Sequence, residues 1–146
     1  MVGHHKAAGP ILTAVVTAEA AEAAETKVII ALDHIQLAMP AGSQDRIRGF
    51  YCDLLGMVEQ PKPDVLQARD GFWASAGTLA VHFGIAPDFH PATKAHPAFI
   101  VDDIDGFFTR LTAQGHAPKW DQALPEIRRF FVNDPVGNRL EIMDND

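Results

Sequence analysis

The chain has 146 residues, 47% of them hydrophobic and 21% charged, with a formal net charge of −7. This is one ordinary domain, long enough for a core of its own, and its globular composition argues against disorder. The acidic balance argues against nucleic acid, whose phosphates require a basic surface, and no apolar run approaches the roughly 18–20 residues of a membrane-spanning helix. The single cysteine, Cys52, has no internal disulfide partner, so a reducing, cytoplasmic location is the expectation.

Residues 1–27 form an alanine-rich segment that reads as an N-terminal arm, helical by propensity and available to pack on a partner subunit. Its apolar stretch Ile11–Val16 ahead of small residues is a weak export signal, with only Lys6 as its positive region. His4 and His5 lie here and read as surface residues. Residues 28–146 form the domain proper, in two units spanning 28–85 and 95–144.

In unit one, Val28–Met39 has strand character and ends at Pro40-Ala41-Gly42. Ser43 is placed to cap a helix whose Ile47, Phe50, Tyr51, Leu54 and Leu55 recur at helical spacing, and Gly56 stands where a left-handed C-terminal cap is needed. Met57–Gln60 reads as the start of a loop, followed by strands near Val65–Ala68, Phe72–Ser75 and Thr78–Phe83. Unit two repeats the order. A strand at Ala98–Val101 leads to a helix capped by Asp102 or Asp103 and closed by Gly115, then to strands at His116–Lys119, Ile127–Val132 and Arg139–Met143. A turn-rich stretch, Asn133 to Asn138, joins the last two strands. Each unit is therefore β-α-β-β-β.

The duplication carries chemistry. Gly56 precedes His82 by 26 residues and Gly115 precedes Glu141 by 26, while His34 and His96 open the two units, 22 and 19 residues ahead of those glycines. Strand alternation puts His34, Gln36 and Ala38 on one face, Ala80, His82 and Gly84 on one face, and Arg139, Glu141 and Met143 on another, each opposite a fully apolar face. The ligand-type residues thus face away from the helices, on a concave surface. Taken singly, each histidine also reads as an ordinary surface residue, and Glu141 as a solvated strand carboxylate. Their joint placement favours a shared site. His90 and His116 lack that placement. Pairing across the final turn is expected to bring Arg128 and Phe130 onto the Glu141 face, where Arg128 would meet an anionic substrate group or simply be solvated. Trp73 either lines the pocket or fills core.

Leu32-Asp33-His34-Ile35, Phe50-Tyr51-Cys52-Asp53-Leu54-Leu55-Gly56-Met57 and Asn133-Asp134-Pro135-Val136-Gly137-Asn138-Arg139-Leu140-Glu141 resemble the vicinal oxygen chelate superfamily. Glyoxalase I, fosfomycin-resistance thiol transferases, extradiol dioxygenases and the bleomycin-resistance proteins belong to it. The resemblance spans about Val28 to Asp144. It implies an α+β fold, with two tandem βαβββ units forming an open, incomplete barrel-like sheet around a concave site. It also implies metal ligands at His34, His82, His96 and Glu141, and often a homodimer in which two chains complete each site. His82 departs from the pattern, because glyoxalase I-like members carry an acidic residue there.

Three imidazoles and a carboxylate suit Zn, Ni, Co, Fe or Mn rather than Ca or Mg. Such an ion would act as a Lewis acid on a small substrate with adjacent oxygens. Glu141, the only carboxylate of the set, is the candidate to move a proton as well as ligate, and Gln36 is a candidate to hydrogen-bond substrate. The leading expectation is a glyoxalase-like metalloenzyme: isomerase, lyase, thiol transferase or dioxygenase. A non-catalytic small-molecule binding protein of the bleomycin-resistance type is the alternative, and a module with a vestigial pocket is a third. Neither nucleic acid nor membrane is an expected partner.

Overall fold

The computed structural model describes residues 26–146. Residues 1–25 of the alanine-rich arm, including the stretch read as a weak export signal and His4 and His5, lie outside the described residues. Thr26–Leu32, taken by itself, contains no helix or strand. Val28–Met39 is therefore a strand only from Ile35, and His34 immediately precedes it. Asp33–Asp146 forms one compact unit.

Two four-stranded sheets make up that unit. The first contains β1 (Ile35–Met39), β2 (Val58–Gln60), β3 (Phe72–Ala76) and β4 (Leu79–Ile85) in the order β1-β4-β3-β2. The second contains β5 (Ala98–Val101), β6 (Lys119–Asp121), β7 (Arg129–Asn133) and β8 (Arg139–Asp144) in the order β5-β8-β7-β6. In each, the first strand runs parallel to the last and the remaining pairs are antiparallel. Neither sheet closes on itself. This is the tandem βαβββ architecture, and among the described residues no helix is long and apolar enough to cross a membrane.

The helices are α1 (Gln44–Arg48), continued as a π-helix over Gly49–Leu54, and α2 (Ile104–Ala113). Their apolar stripes meet the apolar strand faces. Ile47, Phe50, Tyr51 and Leu54 are buried with Met39, Phe72, Ala74, Val81 and Phe83. Ile104, Phe107 and Leu111 are buried with Phe99, Phe130, Val132, Leu140 and Ile142. Full burial of each such side chain contributes about 1.5–3 kcal/mol against leaving it in water, which fixes which face of each strand looks outward.

Both glycines that end the helices have positive φ, +78° at Gly56 and +86° at Gly115. Gly115 sits in a Schellman-type end, with the His116 amide donating to the Leu111 carbonyl and the Gly115 amide to Thr112. At Gly56 the ring is one residue wider, closed by the Met57 amide on the Tyr51 carbonyl. The unequal spacings of 22 and 19 residues have the same origin. The turn before α1 has four residues (40–43) against two before α2 (102–103), and the first helix has eleven residues, its last six in π geometry, against ten.

Local departures from the sequence expectations have identifiable causes. Ser43 precedes α1 but makes no side-chain cap; its hydroxyl donates to the Pro40 carbonyl. Asp103, not Asp102, caps α2 by accepting from the Gly106 amide at 3.0 Å. The second strand of unit one is Val58–Gln60, and Val65–Ala68 is no strand: Asp64–Leu66 is a 3₁₀ turn after Pro63. Pro61 and Pro63, unable to donate, follow the end of β2 at Gln60, and the chain turns before the next strand. In unit two the second strand starts at Lys119, after Pro118.

The stretch between β7 and β8 is more than a turn. Asp134 accepts from the Val136 and Asn138 amides at 3.0 and 2.9 Å, folding the loop around its carboxylate. It also accepts from the buried Tyr51 hydroxyl at 2.7 Å, and Asn138 donates to the Ala38 carbonyl in β1 at 2.8 Å. The loop therefore ties the second repeat to the first.

Candidate functional site

The parallel register is the same in both repeats. Gln36 lies opposite His82 and Ala98 opposite Glu141, while His34 and His96 each stand two residues ahead of those positions. The duplication seen in the sequence is thus a duplication of geometry: each unit brings its opening histidine against its closing residue.

In unit one the His34 and His82 rings stack at 3.9 Å between centroids. Trp73, directly across the β3–β4 ladder from His82, stacks on the other side at 3.9 Å and an interplanar angle of 1°. His82 is therefore held between two rings. Its pKa is lowered, first by burial and then by repulsion from His34, against a smaller opposing pull from Asp33. His34 has its Nδ1 2.7 Å from Asp33 Oδ2. Gln36 is exposed on the same face and its Nε2 lies over Gly84, 2.5 Å from where a Cβ there would stand.

In unit two His96 Nε2 is 3.1 Å from Glu141 Oε2. Glu141 is buried, with 9% of its side chain exposed, and its other oxygen accepts from Arg129 at 2.9 Å. Arg129 continues to Asp121 at 2.6 Å. Its guanidinium is pushed up in pKa, chiefly by the Glu141 hydrogen bond, and its buried Nε has no partner among the described residues. Phe131 meets the His96 ring edge-on at 5.4 Å, and Arg139 lies over Phe131 at 4.0 Å.

The structure thus brings His34 to His82 and His96 to Glu141, with Gln36 and Trp73 beside the first pair. Among the described residues of the chain no group of three or more His, Cys, Asp or Glu side chains is placed to hold a metal ion. The four candidate ligands form two pairs rather than one foursome.

Two expected site residues are corrected. Glu141 lies opposite Phe131 and Met143 opposite Arg129, so Arg129 and Phe131 share the Glu141 face. Phe130 points the other way and is fully buried against Phe107, Phe108 and Trp120. Arg128 pairs with Asp105 and Asp144 and lies over Trp120, also away from Glu141. The five-residue loop around Asp134 shifts the register by one, which exchanges the faces of β7. The corrected register was legible: Phe130 and Val132 continue the apolar face of Leu140 and Ile142, leaving Arg129 and Phe131 with Glu141. Asp121 carried no such signal.

A model of the glyoxalase-like domain matches residues 36–143. The chain belongs to the glyoxalase-like family. A glyoxalase family protein from Bacillus anthracis is 43% identical, with a TM-score of 0.77, covering 82% of this chain and 98% of that one. The fold is shared at lower identity with the fosfomycin resistance protein FosX of Listeria monocytogenes: 17% identity, TM-score 0.65, 82% and 96% coverage. A glyoxalase/dioxygenase of Nostoc punctiforme shares it at 18% identity and TM-score 0.65, covering 83% and 99%. No curated protein sequence matches this glyoxalase-like chain.

Proposed function

We propose that this glyoxalase-like protein is a metal-dependent enzyme acting on a small substrate with adjacent oxygens, as a homodimer whose two chains complete each site. The observation that carries this is how the histidines are tied. His34 and His96 each spend Nδ1 on an oxygen, Asp33 Oδ2 and the Lys94 carbonyl, which leaves Nε2 as the ring nitrogen for another partner. Outer hydrogen bonds of this kind orient metal-ligating imidazoles.

For His96 the consequence is sharper. The Lys94 carbonyl only accepts, so Nδ1 carries a proton. Nε2 then faces the buried Glu141 carboxylate either as an imidazolium N–H or with a bare lone pair. A divalent cation would satisfy both groups in the second arrangement, so the residues fit such a group. His34, His96 and Glu141 would hold it, with His82 beside His34. The ion supplies Lewis-acid polarisation of substrate oxygens. Glu141, steadied on one oxygen by Arg129, keeps the other for ligation or for taking a proton; Trp73 and Gln36 would orient substrate beside His82.

The pairing supports the dimer. Each chain carries one histidine pair and one His–Glu pair, and a second copy supplies what each lacks. The test is metal content of untagged protein, with His34→Ala and Glu141→Ala as controls. Stoichiometric transition metal, lost in both variants, is expected; metal near zero, or unchanged in both, would overturn the reading. Mixed dimers of the two variants distinguish one chain from two: sites shared between chains leave one intact site per mixed dimer, whereas sites within a chain leave none. Metal-free protein that binds small molecules tightly without turnover would support the sequestering alternative.

A further inference from the structure

Beside the histidine pair of unit one, and sharing His82 with it, lies a cleft of about 170 Å³. His82 and Trp73 wall one side. Gly71 and Gly84 contribute backbone to its lining. A Cβ at Gly71, where φ is +104°, would run into the Phe83 carbonyl, and one at Gly84 would meet the Gln36 amide. The opposite wall is the loop between β2 and β3, which contributes Lys62 and Arg69. That loop is tied across its base: Lys62 Nζ donates to the Arg69 carbonyl, and Gln67 donates to the Lys62 carbonyl at 2.7 Å.

The charge of this cleft runs against that of the chain, which is −7 overall. Among the described residues neither Lys62 nor Arg69 is ion-paired to a carboxylate, whereas Arg48, Arg128 and Arg129 all are. Asp70 is the lone acid of the lining and forms no ion pair with either cation. The donors that remain in the lining are the Lys62 ammonium, the Arg69 guanidinium and the Gln36 amide. Such a set matches an anionic oxygen group, and charge-assisted hydrogen bonds are the stronger kind.

We propose that this cleft is an anion subsite, taking a carboxylate or phosphate-like group of the small molecule that reacts at the adjacent pair. Its place in catalysis rests on the metal-enzyme reading; its existence as a binding site does not. Lys62 supplies charge and closes the loop, Arg69 supplies the planar fork, Gln36 adds a neutral donor, and Trp73 limits the width.

The probe is malonate against its neutral isostere malonamide, followed by NMR at the Trp73 indole N–H. The chain has two tryptophans, and Trp120, stacked on Phe108, is the internal reference. The titration is run on the protein as purified and again after dialysis against EDTA. Malonate is expected to shift Trp73 saturably in both preparations, malonamide in neither. In Arg69→Gln, and in Lys62→Gln/Arg69→Gln, the apparent Kd is expected to weaken about tenfold or more, with Arg128→Gln unchanged. Equal response to both probes, no saturable shift at Trp73, or a response that follows the metal and ignores the Lys62 and Arg69 changes would overturn the proposal. Metal content of the same samples separates the two readings: anion binding without metal removes the enzyme and keeps the subsite, and metal without anion binding does the reverse.

Discussion

Replacing Tyr51 by phenylalanine removes one oxygen atom from a fully buried side chain and tests the tie between the two repeats. The hydroxyl donates to Asp134 Oδ2 at 2.7 Å across 83 residues of sequence. Phenylalanine keeps the ring in place, so the space lost is at most that of one oxygen atom. A hydrogen bond to a charged group contributes about 1.5–3 kcal/mol. Asp134 retains the Val136 and Asn138 amides and the Asn138 side chain, which places the loss toward the lower end, at about 2 kcal/mol. For a chain of this length that lowers Tm by roughly 4–8 °C.

The same pair sets an alkaline limit. Tyr51 has its pKa raised well above the usual value, first by burial and then by the Asp134 charge and hydrogen bond. A raised folded-state pKa contributes stability that is fully present below the unfolded value, about 10, and is lost as pH rises toward the folded value. Tyr51 is the only tyrosine, so phenolate absorbance reads it alone. The absorbance is expected to stay flat through pH 10 and to rise only together with loss of circular dichroism. Tyr51→Phe is expected to show a shallower loss of stability above that pH. A phenolate transition near pH 10 in folded protein, or an unchanged Tm in Tyr51→Phe, would refute the reasoning.

The β7 register makes paired substitutions informative: Phe130→Ala empties a fully buried site and should cost about 3–5 kcal/mol by denaturant titration, whereas Phe131→Leu should leave stability nearly unchanged and alter the His96 environment seen by NMR. Gly71→Ala combines a positive φ with a backbone clash; soluble yield and Tm are expected to fall sharply, while Gly84→Ala, which meets only the end of the Gln36 side chain, should fold and displace Gln36. Arg129→Gln releases Glu141 from its fixed orientation, and metal affinity measured by competition with a chromophoric chelator should weaken about 10- to 100-fold; affinity equal to wild type would remove Arg129 from the site.

The duplication, the helix-ending glycines and the outward face of each unit's opening and closing residues can be read from the residues alone. These follow from local rules: a left-handed φ selects glycine, and strand period two assigns faces once the apolar partners are known. Gln36, His82 and Glu141 were legible for that reason. Whatever depends on register and loop length emerges only in the folded chain. The Asp134 carboxylate, by gathering its own loop, moved β7 one residue along β8 and set Arg129 and Phe131, not Arg128 and Phe130, beside Glu141. The β2–β3 loop, folded by a 3₁₀ turn and the Lys62 tie, carried Lys62 and Arg69 to the His82 cleft. And the four candidate ligands, equal in sequence placement, separated into two pairs, because each sheet registers its own first strand only against its own last.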